Sequence, residues 1–282
     1  MARPLETVVH IAHHQFFVQD AEARWDGQFR NNPWAQEGPG VADGLLGVLS
    51  PRAAGPAPVF LEIHRKEPVL PNDRFCKITE ADLEILSGTL QIFGEENTES
   101  LPGLDFRVTP GTYTVRILYA DLNTVTYGGC DGAEHYFLQM YPLELSGIFA
   151  EETEGASGEY AIGSNAIMGN SQRNFSSRIL RPYEDLDYPI REPVDARSVP
   201  ELHWQAQNGS PSERCSAAVA LGRKKQLKAV QQMALSDSSR AVRLVAVGAL
   251  ALMEAREYLE MVADRQSGFL ERTARMYLTE LS

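Results

Sequence analysis

Short runs rich in β-branched and aromatic residues recur from residue 5 to about 145. They are Leu5–Val9, His14–Val18, Leu45–Leu49, Val59–Ile63, Leu90–Phe93, Phe106–Val108, Tyr113–Tyr119 and Tyr136–Tyr141. Turn chemistry separates them at Gly38-Pro39-Gly40, Pro51 to Pro58, Pro102-Gly103, Pro110-Gly111 and Gly128-Gly129. Alternation is cleanest over Thr112–Tyr119, where Tyr113, Val115, Ile117 and Tyr119 share one face. Thr79–Leu83 reads as one helical turn or a loop. Strands at this spacing predict an antiparallel β-sandwich over residues 1–145.

The pattern then changes twice. Residues 146–209 are acidic and broken by Pro182, Pro189, Pro193 and Pro200, which predicts an irregular connecting segment. From residue 210 to 282 the pattern becomes helical and repeats. Arg214–Leu221 recurs as Arg243–Leu250, and a further step of the same length reaches Arg272. Second helices are expected over Gln226–Leu235 and Arg256–Val262, with Ser210, Ser236 and Asp237 as capping residues. Asp237, Val242, Arg243, Ala246, Ala249 and Leu250 resemble the pattern of short HEAT-like repeats of the phycobilisome-lyase type. That resemblance implies a stack of helical pairs that bury their apolar faces against each other, and a protein-binding role. The expected fold class is thus mixed and segregated: an all-β sandwich followed by an all-α array.

Charge sharpens the division. The chain of 282 residues carries 38 Asp+Glu and 26 Lys+Arg, a formal net charge of −12. Residues 1–200 hold −14 of it and residues 201–282 are at +2, which points to two bodies with different jobs. Such acidity excludes a general phosphate-backbone binder, whose affinity rests on Lys and Arg, and favours a basic protein partner. The three cysteines, Cys76, Cys130 and Cys215, are far apart, so neither a disulfide framework nor a zinc site is expected. No apolar signal core opens the sequence, and the longest apolar run, Leu244–Met253, is half a bilayer span. A cytoplasmic protein without a membrane partner is expected.

Catalytic signals are weak. His10, His13 and His14 form the most metal-like cluster, but on an extended strand His13 would face away from the other two, and spacing specifies no third ligand. They read as structural strand histidines. Gly163–Asn170 is glycine-rich without a lysine and reads as a loop. Cys130 lies near His135 without a spacing that fixes a nucleophile and base. No nucleophile elbow, phosphate loop or His-Glu-x-x-His motif occurs. No catalytic residue, metal or cofactor is expected. Arg214, Arg243 and Arg272, at one place in each repeat, read as repeat-to-repeat hydrogen-bonding or capping residues rather than a nucleic-acid stripe.

His14-Gln15-Phe16-Phe17-Val18, Val41-Ala42-Asp43-Gly44 and Thr109-Pro110-Gly111-Thr112-Tyr113, in that order, are similar to the competence nuclease-inhibitor family (ComJ-like proteins). The likeness covers about residues 5–142 and implies an acidic protein that binds and silences a DNA-cutting nuclease. Long insertions and the helical tail depart from the family. The residues that would meet such a partner are acids beside aromatics. Asp20, Trp25 and Asp26 form one group, Glu95, Glu96 and Glu99 a second, and Tyr183, Glu184, Asp185, Asp187 and Tyr188 a third. Carboxylates can imitate phosphates while aromatic rings supply buried area. The resulting expectation is a non-enzymatic immunity or inhibitor protein that occludes a bacterial nuclease toxin. The alternative is a scaffold whose sandwich binds a peptide, sugar or lipid while the repeats dock to a larger assembly.

Overall fold

The computed structural model describes residues 4–24, 38–70, 75–94, 104–125, 132–143 and 197–281, together with the backbone of 177–181. The described strands are β1 (Leu5–Ile11), β2 (Gln15–Asp20), β3 (Gly40–Ala42), β4 (Leu45–Leu49), β5 (Gly55–Ile63), β6 (Lys77–Ile85), β7 (Thr89–Phe93), β8 (Leu104–Arg107), β9 (Gly111–Ala120), β10 (His135–Pro142) and β11 (Ser177–Arg181). One sheet runs β1-β5-β10-β9-β6-β11 and the other β3-β4-β2-β7-β8. Pairing is antiparallel except between β5 and β10. The sheets face each other across one core, to which Val9, Val59, Val115, Ile117 and Leu138 come from the first and Phe16, Val18, Leu46, Leu90 and Ile92 from the second. Tyr113, Val115, Ile117 and Tyr119 all point into it, as their alternation predicts.

Two local expectations fail for identifiable reasons. Thr79–Leu83 is neither a helical turn nor a loop but the middle of β6, between β9 and β11. Ala81 and Leu83 face the core, while Glu80 lies opposite Arg116 on the outer face, so the acidic residues that suggested a loop are the alternate face of a strand. His13 and His14 do not lie on a strand. They have φ of 50° and 62° and form the two central residues of a hairpin turn closed by Ala12 and Gln15. Positive φ at both positions is what the right-handed twist of a two-residue hairpin demands.

Six helices follow among the described residues: α1 (Val199–Asn208), α2 (Pro211–Arg223), α3 (Leu227–Ser236), α4 (Arg240–Leu252), α5 (Arg256–Arg265) and α6 (Phe269–Glu280). The starts of α2, α4 and α6, at Pro211, Arg240 and Phe269, are evenly spaced, and the same step separates the starts of α3 and α5. It is also the step between Arg214 and Arg243. α1 lies within the stretch expected to be irregular. Pro200 is tolerated because it sits in the first turn, where no intrahelical N–H bond is lost, and Ser198 with Glu201 closes a capping box. Ser210 caps α2 as expected, whereas the cap of α4 is Ser239 rather than Ser236 or Asp237. Asp237 instead receives Arg214 Nε and Nη2 at 2.9 and 2.8 Å, and its backbone carbonyl accepts from Arg243 Nη1 at 2.5 Å. Arg214 thus joins one helical pair to the next, while Arg243 closes the α3–α4 turn within its own pair.

The helices lie on the outer face of the first sheet. Val8, Phe60, Ile78, Leu118 and Phe137 form one continuous core with Leu202, Val219, Val245 and Leu250 of the array. α4 runs over β5 and β1, and α2 over β10. Gly248 of α4 approaches so closely that a Cβ there would sit 2.3 Å from the carbonyl oxygen of Gly132. The amide of Ala241 donates to Glu6 on β1 at 3.1 Å. The strand-rich and helical parts are segregated along the chain but not in space. No helix among the described residues is long and apolar enough to cross a membrane.

Candidate partner-binding surface

Of the acids and aromatics expected at a partner contact, only Asp20 lies within the described residues. Trp25, Asp26, Glu95, Glu96, Glu99, Tyr183, Glu184, Asp185, Asp187 and Tyr188 lie outside them. Their anchor points are nevertheless defined. Residue 25 follows the end of β2, and residue 95 follows the end of β7. β2 and β7 are antiparallel, with Phe17 opposite Phe93 and Asp20 opposite Leu90, so the two strands finish at opposite ends of the second sheet. Residue 182 follows β11, at the edge of the other sheet.

Asp20 is only 4% exposed, so it is not the surface contact expected of it. Its Oδ2 accepts from the backbone amides of Leu86 and Ser87, the latter at 2.8 Å, and its Oδ1 accepts from the amide of Glu22 at 2.9 Å. Burial pushes its pKa up, but the hydrogen bonds from Ser87, Glu22 and Leu86 outweigh that and hold it below the ordinary carboxylate value. Asp20 is therefore a positioning residue. It pins the β6–β7 hairpin to the end of β2 from a position the sequence marks only as acidic.

Four loops meet there. The amide of Asp20 donates to Gly44 at 2.8 Å, that of Ala21 to Thr89 at 2.9 Å, and that of Val108 to Gly88 at 3.0 Å. Gly44 has φ of 66°, and a Cβ on it would lie 3.1 Å from that of Ala23. Two of the three motifs that carried the family likeness, Val41–Gly44 and Thr109–Tyr113, thus reach the same end of the sandwich, and Tyr113 closes the second by donating to Thr109 at 2.5 Å. The loops so joined expose Glu22, Arg24 and Asp43 at the same end of the sandwich as Leu86, which is 70% exposed at the tip of the pinned hairpin. An exposed apolar side chain on a pinned turn, with charged residues on the adjoining loops, is how interface anchors are presented. Among the described residues the helical array does not adjoin it: the core it shares with β9 is at Leu118 and Ala120, about 25 Å along that strand from Gly111.

Two buried ion pairs lie elsewhere. Arg116, fully buried on the outer face of the first sheet, donates to Glu80 at 2.6 Å, to Glu67 at 2.7 Å and to the Pro68 carbonyl at 2.7 Å. It thereby ties the 64–70 loop to the sheet. Arg52 grips Glu134 through Nε and Nη2 at 2.5 and 2.8 Å and also donates to the Gly132 carbonyl at 3.0 Å, where Tyr277 of α6 donates at 3.4 Å. Both pairs span long sequence separations that no local motif announces. Burial pushes the Cys76 thiol up to about 11 and the Cys215 thiol well above its usual value, so both stay protonated and unreactive at neutral pH. Cys130 and the Gly163–Asn170 loop lie outside the described residues.

No family model and no curated protein matches the chain. Two solved structures show a distant likeness. ComJ from Bacillus subtilis, an inhibitor of the DNA degrading activity of NucA, matches with 14% identity and a TM-score of 0.39 over 51% of this chain and 99% of its own. The protein of crocagin biosynthetic gene J matches with 15% identity and a TM-score of 0.34 over 50% of this chain and 99% of its own. Scores this low carry nothing about function.

Proposed function

We propose that the protein is a non-enzymatic inhibitor that binds a basic protein, a bacterial nuclease toxin, and occludes its active-site groove. The observation that carries this reading is the sandwich end organised by Asp20, where Glu22, Asp43 and Leu86 are all exposed, in a chain whose first 200 residues hold 14 excess negative charges. The sequence likeness of the His14, Val41 and Thr109 motifs supplies the nuclease. Charge steers the encounter and sets its rate, while apolar and aromatic anchors hold the complex. The acidic segments around Trp25 and Asp26, Glu95 to Glu99 and Tyr183 to Tyr188 are proposed as further contacts, of which the first continues directly from the Asp20 turn.

The test is co-expression with a nuclease toxin candidate, sought first among the genes beside this one. Survival restored by this protein, and reduced by Leu86→Glu, is the expected result. Equal killing with and without the protein overturns it. Binding of the purified pair is expected to weaken as salt is raised, and an affinity independent of salt would remove the role given to charge.

A further inference from the structure

α1 and α3 occupy the same place in successive repeats, one ahead of α2 and the other ahead of α4. Between them runs a groove of about 360 Å³, near the small end of the range of ligand sites. Its floor is apolar, formed by Ala206, Ala229 and Met233. Its rim carries His203 and Gln207 from α1, with Lys228 and Gln232 from α3. His203 and Gln232 are repeat equivalents, separated by the same step as Arg214 and Arg243, so the groove is a product of the stacking itself.

The chemistry of the rim is one-sided. Asp237 is the one carboxylate in the lining, and Arg214 holds both of its oxygens. Lys228 has no ion pair or hydrogen bond among the described residues, and neither do the side chains of His203 and Gln207. Among the described residues the groove therefore offers an uncompensated ammonium, within a chain of net charge −12. One step round α1 from these residues stands Trp204, 65% exposed. Tryptophan of this kind supplies a large rigid face and an N–H donor.

From these features we infer that the α1–α3 groove binds an extended acidic peptide segment of a partner protein, separate from the surface at Asp20. Glutamine side chains both donate and accept, and so match the alternating N–H and C=O groups of an extended backbone. Lys228 takes an Asp or Glu side chain, the floor takes a small apolar one, and Trp204 covers the flank. A phosphate ligand fits less well, because the lining has one lysine and no free arginine fork.

The probe is a random-peptide phage library panned on the full-length protein, with selected peptides resynthesised with a fluorescent label and titrated by anisotropy. Acidic peptides are expected to be enriched. Their binding is expected to weaken about tenfold in Lys228→Glu, less in Lys228→Gln, and also in Trp204→Ala. It should stay within about twofold in Lys66→Glu, which makes the same charge change on an exposed loop of the sandwich. No enrichment, enrichment of peptides lacking acids, or equal loss in Lys228→Glu and Lys66→Glu overturns the assignment. Lys228 is exposed, so these variants are expected to fold, and protection from the nuclease should be unaffected by them.

Discussion

Asp20 shows how a buried charge sets a surface. Three backbone amides converge on its carboxylate, and replacing it with Asn removes the charge and forces one oxygen to serve where two did. Asp20→Asn is expected to lower stability at neutral pH by about 1–3 kcal/mol. The pH dependence has a definite sign. The folded pKa lies below the ordinary value, so the stabilisation is full above the carboxylate range and is lost as pH falls through the lowered folded value. Urea melts of the two proteins should therefore differ at neutral pH and converge in acid. A constant difference at all pH values would show that the charge is not what matters. The sequence marked Asp20 as acidic beside aromatics. It could not show that the carboxylate faces inward, because two of its donors are amides of residues 86 and 87, more than sixty positions away.

Among the helices, Asp237 is the joint between pairs. Its side chain is 8% exposed and that of Arg214 is 13% exposed, so the pair is largely removed from water. The hydrogen bond from Arg214 to Asp237 raises the arginine pKa. Asp237→Ala is expected to cost about 2–4 kcal/mol, with Arg214→Ala and the double variant far from additive in chemical denaturation. An additive cycle would mean that the two residues act separately. The repeat period was legible because each repeat places arginine and small apolar residues on the same helical face. α1 was not, because Pro200 reads as a breaker unless its place in the first turn is known. β6 was hidden for a similar reason: Glu80 looks like loop chemistry until Arg116 is seen opposite it.

At the scale of the whole molecule, charge suggested two bodies, yet packing joins them. The outer face of the first sheet is apolar where α2 and α4 cover it, and such a face, once bared, has no other cover among the described residues. Gly248 of α4 is pressed against the backbone of Gly132, just ahead of β10. Gly248→Val is expected to cost about 2–3 kcal/mol and to lower a single cooperative melting transition by about 5 °C or more. Two transitions, with that of the sandwich unchanged, would show that strands and helices fold independently. Composition could not reveal this union, since Val8, Phe60 and Leu118 read equally well as residues of a two-sheet core. Their places between Val9, Val59, Leu61, Ile117 and Tyr119, which face the other sheet, assign them to the outer face, and only the helices packed there show that this face is a second core.

The same union has a consequence for biosynthesis. β10 ends at Pro142 and α4 begins at Arg240, so the ribosome must build everything between them before that strand's outer neighbours have a cover. At roughly 5–20 residues per second, that is an interval of about 5–20 seconds. Until α4 is made, Val8 and Phe60 lack the helix that covers them, which makes that apolar strip a natural holding site for chaperones that act during translation.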